Sequence, residues 1–181
     1  MENDVTNPPV LVAQETGAWC FAAAEVMVRA YRNLPPMSQY AIARRSTVSL
    51  AALDPAVGER WELAQALDAS VDPPQQENGG TNLNSEVVQV VRTQWNAFDD
   101  AATGGHFPAT DLTADMVRGE IDVDRIFVIG TAIHYYVVYG YANDGNVMKL
   151  RDPWPVGTGG FTTTMTLQHF LVLQGHVTIF F

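Results

Sequence analysis

The 181-residue sequence is poor in cysteine, in lysine and in charged residues generally. A single cysteine, Cys20, excludes an internal disulfide and a zinc site built from several cysteines. Lys149 is the only lysine, and 10 basic against 20 acidic residues give a formal net charge of −10. Proteins that bind nucleic acids or anionic membranes neutralise phosphates with basic patches, so we expect neither partner here.

Long apolar segments and targeting signals are scarce as well. No stretch approaches the roughly 18 consecutive apolar residues of a membrane-spanning helix. The first four residues, MEND, lack the cationic and apolar regions of a signal peptide, which predicts a protein made in the cytoplasm. The composition, 47% hydrophobic and 17% charged, is typical of a folded chain, and the length predicts one domain over residues 1–181.

Apolar spacing predicts helices in the first two thirds of the chain. From Cys20 to Tyr31, the side chains of Phe21, Ala24 and Val28 recur three or four positions apart, and prolines 35 and 36 stop the pattern. Other helices are predicted at 38–45, 58–69, 85–95 and 113–120, the last with Thr113 as N-cap. Proline and glycine predict exposed, mobile loops at 71–80 and 99–108.

From about residue 121 the sequence is typical of strands. Val, Ile and Tyr are enriched at 125–131, 134–141, 147–151 and 176–181, with a short helix predicted at 166–174. Asp144-Gly145 predicts a hairpin that pairs 134–141 with 147–152 in antiparallel fashion. The predicted fold class is α+β, with a helical lobe at about 14–120 and a sheet lobe at about 121–181.

One cysteine, one histidine and one aspartate occupy positions suited to nucleophilic catalysis. Cys20 begins a predicted helix, and the N–H groups at a helix start favour a thiolate. His134 opens one strand of the predicted hairpin and Asp152 ends the other, so the two should be neighbours. Taken singly, each residue is more typical of an inert role: a buried thiol, a satisfied histidine, a turn aspartate.

Taken together, these residues resemble the papain-like cysteine peptidase superfamily, nearest its small bacterial peptidase and secreted-effector branches. Gln14 lies six positions before Cys20, which is the superfamily's spacing from the oxyanion-hole glutamine to the nucleophile. Phe21 and three alanines follow the cysteine, and a tyrosine-rich strand follows His134. Asp152-Pro153-Trp154 is similar to the family's Asn-x-Trp, although Asp152 replaces Asn and Phe21 replaces the usual Trp.

The resemblance implies a papain-like fold with the active-site cleft between the two lobes and the activity of a thiol protease. It implies that Cys20 is the nucleophile, that His134 is the base and that Asp152 orients the imidazole. The side chain of Gln14 and the backbone N–H of Cys20 would bind the oxyanion, and Trp154 would cover the His134–Asp152 hydrogen bond. No cofactor or metal is implied, the partner is a protein or peptide substrate, and the effector branches imply export without a signal peptide.

Two other functions stay open at this point. A glutamine deamidase or another thiol acyltransferase uses the same set of residues on a different acceptor. A non-enzymatic binding domain could retain the fold with Cys20 as a structural residue.

His106, His169 and His176 are rival bases, of which His176 is the strongest because it also opens a strand, but no Asp or Asn follows it. The tyrosines of strand 134–141 are predicted to be ordinary sheet residues.

Overall fold

The structure is a computed structural model that describes residues 1–15, 19–43, 45 and 98–181. The helices are α1 (Cys20–Tyr31), α2 (Asp100–Thr103), α3 (Ala114–Ile121) and α4 (Leu167–Val172). The strands are β1 (Asn3–Asp4), β2 (Phe127–Gly130), β3 (Tyr135–Ala142), β4 (Val147–Arg151), β5 (Thr164–Thr166) and β6 (Val177–Ile179). Residues 39–43 are also helical. The α+β class predicted from the sequence is confirmed.

An antiparallel sheet organises the C-terminal half. Its strands lie in the order β5-β4-β3-β2-β6, and the short N-terminal strand β1 pairs with the far end of β3. Gly140 permits this close pairing, because a Cβ atom there would collide with the Asp4 carboxylate. Strand β2 is buried along its whole length, and α1 packs on the central strand β3. The helical element that carries Cys20 therefore lies directly on the sheet.

Helix α1 forms where its apolar spacing predicted it. Residues 22–24 are three alanines without solvent exposure, and their short side chains let the helix backbone approach the sheet. Phe21 fills the core beside them. The buried Glu25 carboxylate is neutralised by Arg29 at 2.7 Å and by Arg45 at 2.6 Å. The charged residue on the packed face is thus paired, as a buried charge requires.

Two more predicted helices are found, and the remaining predictions for the middle of the chain lie outside the described residues. The helix predicted at 113–120 is α3, and the Thr113 hydroxyl accepts the N–H of Met116 at 3.2 Å as its cap. The helix predicted at 38–45 is helical at 39–43. The predicted helices at 58–69 and 85–95 and the predicted loop at 71–80 lie outside the described residues. Across the described ranges, no helix has the length and hydropathy to cross a membrane.

The prediction of an exposed, mobile loop at 99–108 is wrong in part. Residues Asp100–Thr103 form the single turn α2, because the Asp99 carboxylate accepts the N–H of Ala102 at 2.7 Å. Gly104 ends the turn with φ of 70°, a conformation that glycine adopts without strain. Thr103 is buried, so part of this segment belongs to the core.

The hairpin of β3 and β4 sets which side chains share a face. Residues Asn143–Gly145 form its turn, and the pairing shifts by one residue within β3, which makes one residue of that strand a bulge. Val137 pairs with Arg151, so Asp152 follows opposite Tyr136, on the face that also carries His134. Without the bulge, Asp152 would point to the opposite face of the sheet.

Candidate active site

A tight turn fixes His134 at the start of β3. The N–H of Thr131 donates to the His134 carbonyl at 2.8 Å, and the His134 N–H donates to the Thr131 hydroxyl at 3.1 Å. The imidazole packs edge to face on the ring of Tyr136, with 4.6 Å between ring centroids. The ring therefore has few orientations open to it.

Asp152 is the partner of His134, as the hairpin predicted. Its Oδ1 atom lies 2.7 Å from His134 Nε2 and accepts the N–H of Trp154 at 2.8 Å. Its Oδ2 atom accepts the N–H of Thr162 at 2.8 Å. Burial raises the pKa of Asp152, but the hydrogen bonds from His134 and from these two backbone groups outweigh it and hold the pKa below its usual 3.8. Asp152 is therefore a buried carboxylate whose two oxygens both have hydrogen-bond partners within the protein.

Cys20 is the first residue of α1, and it is 3% exposed. Its thiol lies close enough to His134 to raise the pKa of the imidazole. Because Nε2 of the imidazole is bonded to Asp152, Nδ1 is the nitrogen left for the thiol. The structure thus shows the His134–Asp152 hydrogen bond, with the Cys20 thiol near the imidazole.

The electrostatics of His134 follow from these two neighbours. Burial disfavours the charged ring and lowers the pKa of His134. The hydrogen bond with Asp152, the charge of Asp152 and the nearby Cys20 thiol act in the opposite direction and raise the pKa of His134 to about 9. The imidazolium is therefore the stable form of His134 at neutral pH.

Gln14 is completely buried, and its main chain is joined to the loop that follows Asp152. The Gln14 N–H donates to the Pro153 carbonyl at 3.0 Å, and the Gln14 carbonyl accepts the N–H of Gly157 at 3.1 Å. The segment that contains this predicted oxyanion residue is thus held beside the His134–Asp152 pair.

No match to a known protein family, curated protein or solved structure is found for this chain. Among the described residues, no group of three or more His, Cys, Asp or Glu side chains could hold a metal ion. The geometry of the site is therefore what bears on its chemistry.

Sequence reasoning missed Gln39, a buried residue of the helical segment 39–43. Its side-chain amide donates to the Ala13 carbonyl at 2.7 Å, and its side-chain oxygen accepts the N–H of Glu15 at 3.0 Å. These two bonds fix the backbone on both sides of Gln14, at Ala13 and at Glu15. No local sequence signal marks such a residue, because its partners lie 26 and 24 positions away.

Tyr136 differs from the ordinary sheet residue that was predicted. Its ring packs on His134, and its hydroxyl lies near Thr162, whose backbone N–H binds Asp152. Its place two residues after His134 on a strand was the available signal, since such residues share a face. Trp154, predicted to cover the His134–Asp152 pair, contributes its backbone N–H, and its side chain is 42% exposed.

The rival histidines have other partners. His106 forms an isolated bridge with Phe180. His169 is exposed on α4. His176, the strongest rival, has Nδ1 at 3.1 Å from the Leu173 carbonyl and Nε2 at 3.6 Å from Asp111. Of the four histidines, all of them described, His134 is the one that is bonded to Asp152 and has the Cys20 thiol nearby.

Proposed function

We propose that this chain is a papain-like cysteine peptidase that hydrolyses peptide bonds with Cys20, His134 and Asp152. The observation that supports it is the buried Asp152 carboxylate 2.7 Å from the His134 imidazole, with the Cys20 thiol close enough to His134 to raise its pKa. A nucleophile, a base within reach and a third group that orients the base are the parts that thiol acyl transfer needs.

Each residue has a defined step in the reaction. His134 takes the proton of the Cys20 thiol, which its raised pKa of about 9 favours, and the sulfur attacks the substrate carbonyl to form a C–S bond and a tetrahedral oxyanion. His134 then gives this proton to the leaving amine as the C–N bond breaks. Water attacks the thioester while His134 takes a water proton; a C–O bond forms, the C–S bond breaks, and His134 returns the proton to the sulfur, which releases the carboxylic acid and restores the thiol. Asp152 holds the ring throughout and stabilises its charge.

Gln14 and the backbone N–H of Cys20 would bind the oxyanion. Two findings support this role for Gln14: it is completely buried, and its main chain is bonded to Pro153 and Gly157, next to Asp152. Donors fixed before the reaction stabilise developing charge without reorganisation. Cys20 lies at the first turn of α1, where backbone N–H groups have no partner within the helix.

The papain-like arrangement of lobes is part of the proposal. Helix α1 packs on β3, and Cys20 in its first turn raises the pKa of His134, which supports a reacting sulfur at the junction of the helical part and the sheet. A peptide would bind along that junction. Synthesis in the cytoplasm and export without a signal peptide, as in the effector branches, belong to the same proposal.

Peptide mass spectrometry tests the proposal. A peptide mixture from a denatured proteome is incubated with the wild-type protein, with Cys20→Ala and with His176→Ala. A peptidase yields new peptide termini with the wild type and His176→Ala, and none with Cys20→Ala. Conversion of glutamine to glutamate without cleavage would instead assign a deamidase. Equal peptide patterns for wild type and Cys20→Ala would contradict thiol catalysis.

A further inference from the structure

Tyr136 contacts the proposed base and lies beside the group that orients it. It is in β3, two positions after His134, and alternate residues of a strand share a face. Its ring meets the imidazole edge to face, with 4.6 Å between the ring centroids and 79° between the ring planes. Asp152 follows opposite Tyr136 in the register of the β3–β4 hairpin. One side chain is thus adjacent to both members of the His134–Asp152 pair.

The hydroxyl end of Tyr136 points to the same pair. It lies near Thr162, whose main-chain N–H donates to Asp152 Oδ2 at 2.8 Å. Burial and the charge of Asp152 raise the pKa of Tyr136 to about 12, so the hydroxyl stays neutral at the pH of an ordinary assay. The tyrosine therefore extends from the imidazole toward a hydrogen-bond donor of the carboxylate without adding a charge to the site.

The imidazole of His134 has space into which it could rotate. A cavity of about 650 Å³ opens beside it, so packing does not enclose the ring on that side. The turn at Thr131 fixes the main chain of His134, but the second side-chain torsion of a histidine has broad energy minima. A single hydrogen bond to Asp152 permits rotation about that bond, whereas a second contact, from the Tyr136 ring, fixes the plane of the imidazole.

Trp154, which the resemblance implies as the cover of the pair, is placed differently. Its side chain is 42% exposed, and its contact with the pair is the main-chain N–H, 2.8 Å from Asp152 Oδ1. Within the described ranges, the aromatic ring that packs on His134 belongs to Tyr136. These contacts favour the strand residue Tyr136 over the loop residue Trp154 as the side chain that restrains the imidazole.

We propose that Tyr136 is a positioning residue, whose ring keeps the His134 imidazole in the orientation that bonds Asp152 and leaves the other nitrogen for Cys20. The inference rests on the proposed thiol acyl transfer and adds to it a residue that acts through the base. A misplacement of about 1 Å can slow catalysis by about 10²-fold, so loss of the ring should lower kcat although every reacting group is retained.

Four variants separate the Tyr136 ring from its alternatives. Tyr136→Leu removes the ring, and Tyr136→Phe keeps the ring but removes the hydroxyl. Trp154→Leu keeps the main-chain N–H and removes the rival ring. Tyr139→Leu is the matched control, because Tyr139 is a half-buried tyrosine of the same strand whose ring packs on the Arg151 guanidinium at 4.4 Å. If Tyr136→Leu does not fold, Tyr136→Met takes its place.

Nitrogen-15 NMR of the imidazole across a pH titration is the first measurement. It reports the pKa of His134 and the nitrogen that keeps the proton, and it needs no substrate. Besides Tyr136, the titratable groups around the ring are Asp152 after β4, Cys20 on α1 and His169 of α4, which lines the same cavity, and no variant alters these three. A merely structural role of Tyr136 would lower the stability to urea and leave both NMR properties unchanged.

Tyr136→Leu should weaken the bond to Asp152, so the pKa of His134 should fall from about 9 toward its ordinary 6.5. The kcat for a peptide substrate should fall about tenfold. Tyr136→Phe should restore most of both properties because it keeps the ring, Tyr139→Leu should match the wild type, and Trp154→Leu should have a smaller effect than Tyr136→Leu.

Two results would overturn the inference: a His134 pKa that is unchanged in Tyr136→Leu, or a larger change in Trp154→Leu than in Tyr136→Leu. Absence of Cys20-dependent turnover in the wild type would instead refute the proposed function. In that case the NMR titration would still decide whether the Tyr136 ring holds the imidazole, so the two failures are distinguishable.

Discussion

The two sides of the candidate site are held in different ways. His134 and Asp152 are 18 positions apart in one hairpin, and the aspartate accepts three hydrogen bonds from residues close to it in sequence. Gln14 and Cys20 come from the N-terminal part of the chain, and the segment around Gln14 is held by Pro153, Gly157 and Gln39. The His134–Asp152 side is therefore built by local structure, whereas the Gln14 side, the proposed oxyanion side, depends on long-range contacts.

Removing the Gln14 side chain should have the largest effect on kcat, because it removes the proposed oxyanion donor. The bonds from Gln14 to Pro153 and Gly157 are made by its main chain, so Gln14→Ala retains them. Loss of one oxyanion donor lowers kcat by about 10² to 10³-fold. Turnover of a peptide substrate is the measurement, and Gln168→Ala, at an exposed glutamine on α4, is the control. Equal kcat for the two variants would remove Gln14 from the mechanism.

Replacing Asp152 by Asn should weaken the hydrogen bonding on the His134–Asp152 side of the site. Both carboxylate oxygens accept backbone N–H groups, so an Asn NH₂ must face either Trp154 or Thr162 as a second donor. The variant also loses the negative charge that helps raise the pKa of His134 to about 9. We expect this pKa to fall toward 6.5 and the unfolding free energy to fall by about 1–3 kcal/mol.

The pH dependence of stability provides the check for Asp152→Asn. A His134 pKa raised above its ordinary 6.5 contributes stability that is complete below pH 6.5 and is lost as the pH rises to about 9. Urea unfolding of the wild type should show this decline, and Asp152→Asn should show less of it. NMR titration of the His134 ring gives the pKa itself, with His176 as an internal reference. An unchanged His134 pKa in the variant would contradict the assigned cause.

Gln39 sharpens the comparison with a smaller effect. Gln39→Leu removes both hydrogen bonds that fix the backbone around Gln14. Because the proposed oxyanion donor would then be misplaced, kcat should fall about tenfold. The matched control is Gln168→Leu. If Gln39 is a positioning residue for Gln14, Gln39→Leu has little further effect in a Gln14→Ala background. Additive losses in kcat would show that Gln39 acts by another route.

The same contrast explains what the sequence could predict. The hairpin, α1 and the His134–Asp152 pair depend on local patterns, namely Asp144-Gly145 and the apolar spacing after Cys20, and these predictions are confirmed. The bulge that puts Asp152 on the face of His134 leaves no mark in the alternation of side chains. Contacts such as Gln39 with Ala13 arise from tertiary packing, which periodicity does not encode.

The most direct test of the central claim is the rate at which iodoacetamide alkylates Cys20 as a function of pH. If His134 activates the thiol, the wild type and His176→Ala should react at about pH 6 at least about tenfold faster than His134→Ala. Equal alkylation rates for wild type and His134→Ala across that range would contradict the account.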